Sequence, residues 1–171
     1  MQTKPSPIAE PGLVSDTILS PIADAYARRA RQLWSFGRRM GLDAEAAEDA
    51  MQEAFARAVS QPLCGVAQLD AWLFRVVHNL AVDSHRRTAR REVRDISESV
   101  AVAHDADLEE RVALWQAVDR LPERQRAAVY LRFRADLAWG DVASILGITE
   151  AGARSNGARA LDQLRKWMDR P

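Results

Sequence analysis

Helical periodicity without any competing strand signal is the feature that most narrows the fold. From Ile22 apolar and small residues recur three or four positions apart through Tyr26, Ala30, Leu33, Trp34 and Gly37, and Gly41 closes this first helix. A second helix is predicted from about Asp43 to Ser60. Gln61 to Leu69 contains Pro62 and Gly65 and reads as a loop, after which Asp70 is placed to cap a helix reaching about Arg91. Leu73, Val76, Val77 and Leu80 mark its inner face. Further on, Leu108, Val112, Trp115 and Val118 repeat at helical spacing up to Leu121-Pro122, where the proline ends one helix and opens another that runs to about Arg134. Leu137 to Leu146, the turn Gly147-Ile148-Thr149, and Glu150 to Trp167 complete a helix, a tight turn and a longer helix. No alternating apolar run occurs, so the class is all-α.

Chain length and charge divide this helical sequence. At 171 residues there is room for two small domains. Residues 1–20 carry Pro5, Pro7 and Pro11 among small polar residues and read as a disordered tail, and residues 92–107 are acidic and poor in large apolar side chains. The expected architecture is therefore two small helical domains, 21–91 and 108–171, joined by a flexible acidic linker, the second containing a helix-turn-helix. Formal net charge is zero, so nucleic-acid affinity has to come from local patches. Acidic residues crowd at 43–53 and 92–110, and arginines at 28–39, 86–94 and 120–134, which suggests more than one partner.

Several function classes drop out. Cys64 is the only cysteine, so no internal disulfide can form, and with His78 and His85 it matches no structural zinc spacing. There is no phosphate-cradling glycine loop, and the carboxylates lie in helical runs rather than in convergent pairs, so neither a catalytic residue nor a cofactor is expected. No stretch approaches the roughly 20 apolar residues of a membrane span, and the amino terminus lacks the order of a signal peptide. A cytoplasmic, non-enzymatic protein without membrane insertion is the expectation.

Three surfaces remain. Glu45, Glu48, Asp49 and Gln52 share one face of the second helix, flanked by Glu53, opposite Ala47, Met51, Ala54 and Phe55. Like charges four apart weaken a helix by about 0.2 to 0.5 kcal/mol per pair unless a basic surface answers them, so a basic protein partner is implied. On the third helix Arg75, Asn79, Val82, Arg86 and Arg90 form one stripe, with Asp83 and Arg87 beside it and Trp72 and Phe74 at its start. Such a junction of rings and guanidinium groups suits unpaired bases and phosphates. In the last helix Ala153, Gly157, Ala160 and Leu164 face inward, leaving Ser155 and Arg159 outward with Arg154 and Asn156 flanking, within reach of a major groove. Gly152 and Gly157 each cost about 1 kcal/mol in a helix interior, so Gly157→Ala should stabilise this helix wherever a methyl group has room.

The run Ala47-Glu48-Asp49-Ala50-Met51-Gln52-Glu53-Ala54-Phe55, followed by Asp70-Ala71-Trp72-Leu73-Phe74-Arg75-Val76-Val77-His78-Asn79-Leu80-Ala81-Val82-Asp83, resembles the second conserved region of extracytoplasmic-function (ECF) sigma factors. Ala117 to Arg126 resembles the start of their fourth region, and the helix-turn-helix completes it. The resemblance implies that the acidic face, Glu45, Glu48, Asp49, Gln52 and Glu53, meets the β′ clamp helices of core RNA polymerase, with the β subunit as a further contact. It also implies that Trp72, Arg75, Asn79, Asp83, Arg86 and Arg87 serve melting of the minus-ten element, and that Arg154, Ser155, Asn156 and Arg159 read the duplex minus-thirty-five element. An anti-sigma factor is a further partner that the resemblance allows. The competing readings are a regulator that binds DNA without core polymerase and a sigma mimic that only sequesters an anti-sigma protein.

Overall fold

The computed structural model describes residues 12–60, 66–89 and 106–168. Residues 1–11, the loop positions 61–65 with Cys64, most of the expected linker (90–105) and the last three residues lie outside them. The described residues form seven α-helices and one π-turn, and no strand: α1 (Gly12–Arg39), α2 (Ala44–Ser60), α3 (Val66–Ala89), α4 (Ala106–Asp119), α5 (Glu123–Val129), the π-turn (Tyr130–Arg134), α6 (Trp139–Leu146) and α7 (Glu150–Met168).

Two boundaries differ from expectation. Helix α1 starts at Gly12, ten residues before Ile22, within the stretch expected to be a disordered tail; residues 12–20 contain no proline, and the helix continues through Pro21 at the cost of one backbone hydrogen bond. Helix α3 starts at Val66, so Asp70 is an interior residue and not the cap. Its carboxylate instead takes Arg29 of α1 at 2.7 Å, with Arg28 at 3.9 Å. A half-buried ion pair across two helices has replaced the local backbone bond that the sequence position suggested.

The remaining ends follow the expected chemistry. Gly41 takes φ +88°, a left-handed turn that releases the chain from α1. Asp43 then caps α2, its Oδ1 accepting from the backbone N–H of Ala46 at 2.8 Å. In the helix-turn-helix, Gly147 closes α6 at φ 63°, and Thr149 Oγ1 accepts from the N–H of Gly152 at 3.1 Å to start α7.

Helices α1, α2 and α3 pack mutually around Leu33, Phe36, Met51, Leu73, Phe74 and Val77. This core does not stop at the first half of the chain. It continues through Ala127, Ala128, Tyr130, Leu131, Val142, Ile145 and Ala153, so α5, the π-turn, α6 and the start of α7 share it. Phe36 is the joint, its ring 5.5 Å from that of Phe74 and 5.4 Å from that of Tyr130. A smaller cluster of Val118, Leu121, Val129, Ala160 and Leu164 ties α4, α5 and α7 together.

Burial sets the state of two polar groups along the joint. Tyr130 is 1% exposed, and removal from water raises its phenol above the ordinary value, so the neutral hydroxyl donates to the carbonyl of Gln32 at 2.8 Å. His78 lies beside Phe36, and desolvation lowers its imidazole below the ordinary range despite the hydrogen bond to Asn79 and the nearby Glu123.

Candidate docking and nucleic-acid interfaces

The acidic face is built as expected. Ala47, Ala50, Met51, Ala54, Phe55 and Ala58 bury one side of α2 and leave Glu45, Glu48, Asp49, Gln52 and Glu53 exposed on the other. Within it Glu48 accepts from Gln52 at 3.0 Å, and Glu53 pairs with Arg57 at 2.7 Å. Glu45 and Asp49 have no ion-pair partner among the described residues. Beside this face an open cleft of about 280 Å³ lies between α1 and α2, lined by Tyr26, Ala30, Arg31, Trp34, Glu48 and Met51. Trp34 is held there by its indole N–H, which donates to the carbonyl of Ala44 at 3.3 Å.

The stripe on α3 is exposed at Arg75, Asn79, Asp83, Arg86 and Arg87. Asp83 sits 4.0 Å from Arg86, a distance at which two exposed groups constrain each other little. Trp72 is half-buried and packs against the core, so its ring is partly committed. Arg75 is engaged too: its guanidinium donates to the hydroxyl of Ser144 on α6, a residue 69 positions away. Arg90 lies outside the described residues.

On α7, Ala153, Gly157, Ala160 and Leu164 are buried, as the period required. Arg159 is exposed and has no ion pair with a described residue, whereas Arg154 pairs with Glu150 at 2.6 Å. The Asn156 amide turns back onto the carbonyl of Gly152 at 2.9 Å, and Ser155 is half-buried. Arg159 is thus the freest donor of the set.

Aromatic residues of this second half were missing from the expected set. Phe133 is 55% exposed and meets Trp139 edge-on at 6.3 Å, while Arg132 and Arg154 lie 5.9 Å from the Trp139 ring centroid. Trp139 also explains Gly157. A Cβ there would enter the indole, with Cζ3 and Cζ2 at 3.2 and 3.3 Å and Cη2 closer still. The expected gain from Gly157→Ala is therefore reversed: the helix-propensity gain of about 1 kcal/mol is outweighed by overpacking of about 1–3 kcal/mol. Thermal denaturation should show Gly157→Ala with a lower Tm than the wild type; a higher one would mean that Trp139 swings out freely.

Among the described residues no group of three His, Cys, Asp or Glu side chains could hold a metal ion, and no helix is long and apolar enough to cross a membrane.

Residues 25–91 match the family described as Sigma-70 region 2, and residues 111–164 match Sigma-70 region 4. The ECF RNA polymerase sigma factor SigM of Mycobacterium tuberculosis is 31% identical over 146 residues, which cover 84% of this chain and 74% of that one. EcfG of Rhodopseudomonas palustris, another ECF RNA polymerase sigma factor, is 32% identical over 146 residues, covering 77% of this chain and 76% of its own. The sigma factor RpoE from Bartonella quintana, crystallised with the anti-sigma factor NepR, has the same fold, with a TM-score of 0.65 at 20% identity over 92% of this chain and 97% of that one. With region 2 and region 4 in family order and relatives matched over about three quarters of their length, the chain belongs to the ECF sigma factors and directs transcription initiation.

Proposed function

We propose that the chain divides this work among three surfaces and carries no catalysis of its own. The acidic face of α2 docks on a basic, helical surface of core RNA polymerase, the β′ clamp helices. The cleft lined by Tyr26 and Trp34 receives an apolar side chain of the same partner. The α3 stripe engages the melted minus-ten element, with Asn79 addressing base edges and Arg86 and Arg87 holding phosphates. Helix α7 addresses the duplex minus-thirty-five element through Arg159, supported by Arg154, Ser155 and Asn156. An anti-sigma protein, of the kind bound to RpoE of Bartonella quintana, is the regulator that such a chain would answer to.

The observation that carries this reading is the segregation of charge on one body. Glu45 and Asp49 stand exposed without cationic partners on α2, while Arg86, Arg87 and Arg159 stand exposed on the helices assigned to DNA.

Promoter-directed transcription with purified core polymerase tests the division. Asn79→Ala should change which minus-ten bases are tolerated, whereas Arg86→Ala should weaken all promoters and lower the salt slope by about one. Arg159→Ala should mimic a scrambled minus-thirty-five element without changing core binding. Unchanged permanganate reactivity of the minus-ten bases in a variant lacking Asn79, Arg86 and Arg87 would overturn the α3 assignment.

A further inference from the structure

The first turn of α7 holds a cluster whose acidic member has no role in the three surfaces. Glu150 opens the helix, and its Oε1 accepts from both Nε and Nη2 of Arg154, at 3.1 and 2.6 Å. Its other oxygen leans on the start of α6, 3.6 Å from where a Cβ on Gly140 would stand. The Arg154 guanidinium lies 5.9 Å from the ring centroid of Trp139. That ring is itself fixed, because its far edge fills the space of the missing side chain at Gly157 and Phe133 meets it edge-on.

Stability does not account for this cluster. Both side chains of the ion pair are exposed, and an exposed pair of this spacing contributes little. The charge of Glu150 is also unfavourable for the task, since a carboxylate on the first turn of a DNA-reading helix repels phosphates. What the pair supplies is order. A free arginine loses torsional freedom when it binds, whereas Arg154 is held at its Nε side by Glu150 and flanked by an immobile indole. A guanidinium carries five N–H donors, and the two given to Glu150 leave the outer edge, formed by Nη1 and the second N–H of Nη2, uncommitted to it. Two parallel donors on that edge match O6 and N7 of guanine, a pair of acceptors that adenine, with a donor in place of O6, does not offer. Residues near the start of a recognition helix are the ones that reach base edges.

We propose that Arg154 is a guanine reader of the minus-thirty-five element and that Glu150 is its positioning residue, fixing the fork beside the Trp139 ring so that its outer edge meets O6 and N7. The inference rests on the assignment of α7 to that element. Arg159, without an ion-pair partner among the described residues, then contributes binding strength, and Arg154 contributes discrimination. Loss of Glu150 should therefore lower discrimination without lowering general affinity for DNA, which is not what loss of a direct contact does.

Holoenzyme assembled from core polymerase and the full chain tests this on a promoter pool with a fixed minus-ten element and a randomised minus-thirty-five region, the bound fragments being sequenced. The parent should favour guanine at one position by about tenfold or more. Arg154→Ala and Arg154→Lys should both abolish that preference, the lysine variant because it keeps the charge and lacks the fork. Glu150→Gln should reduce the preference at the same position about threefold or more, while binding to an unrelated duplex stays level or rises. Both positions are exposed, so circular dichroism should be unchanged in all three variants. A parent indifferent to the randomised region would remove the assignment of α7, and this proposal with it. A parent that depends on the region but keeps its guanine preference in Arg154→Ala, or in which Arg154 selects another base, overturns the guanine reader and leaves that assignment standing. Full discrimination in Glu150→Gln overturns the positioning role. So does a change at a position other than the one Arg154 reads, which would make the carboxylate a direct reader of a cytosine amino group.

Discussion

Charge reversal by Asp49→Arg together with Glu53→Arg is expected to weaken binding to core polymerase by about 100-fold or more, since like charges placed across an interface cost several kcal/mol. Both side chains are exposed on α2. Asp49 has no cationic partner among the described residues, and Glu53 has only Arg57, an exposed pair of the i, i+4 kind contributing about 0.3–0.5 kcal/mol. The buried face opposite them is untouched. The variant should therefore stay helical by circular dichroism while losing affinity in a fluorescence titration with labelled core enzyme. Wild-type affinity in a helical variant would remove the acidic face from the interface.

Phe36→Ala should produce the largest loss of stability. The side chain is fully buried and touches the rings of Phe74, His78 and Tyr130, so its removal opens a cavity at the point where both halves meet. A buried phenylalanine truncation costs about 3–5 kcal/mol, which for a chain of this length lowers Tm by roughly 10 °C or more. Differential scanning calorimetry reads the shift directly. A change of only a degree or two would mean that the joint collapses around the gap and that Phe36 is not its keystone.

Much of this architecture was legible from period and punctuation. The inward set of α7 and the turn at Gly147-Ile148-Thr149 each depend on residues a few positions apart, and both are readable from the sequence. So is the opposition of apolar and acidic faces on α2. What the sequence hid depends on partners far along the chain. Asp70 satisfies every local criterion for a cap, but its partner Arg29 is 41 positions away. Gly157 looks like a weakness in a helix until Trp139 is seen to fill the space. Arg75 reads as a free donor, and only the fold brings Ser144 to it.

One signal of the joint was available. Ala127-Ala128-Val129-Tyr130-Leu131 is five consecutive apolar residues, and all five are buried. A helical stretch of five residues that is apolar on every side must be covered on every side, and a small helix-turn-helix domain alone offers too few elements to cover it. The first half of the chain supplies the missing wall.

The continuous core through Phe36 and Tyr130 also determines how the chain melts. Two domains joined only by a tether would unfold independently, each with its own enthalpy and midpoint. Here Phe36 of α1 and Tyr130 of the π-turn bury one another, so loss of either half exposes apolar surface on the other, and the two halves should unfold as one cooperative unit. Amide exchange in α5 should therefore depend on residues nearly a hundred positions earlier, and substitutions at Phe36 and Tyr130 should not add. Damage in the region 2 half is transmitted to the region 4 half as shared thermodynamic stability, with no contact to DNA required.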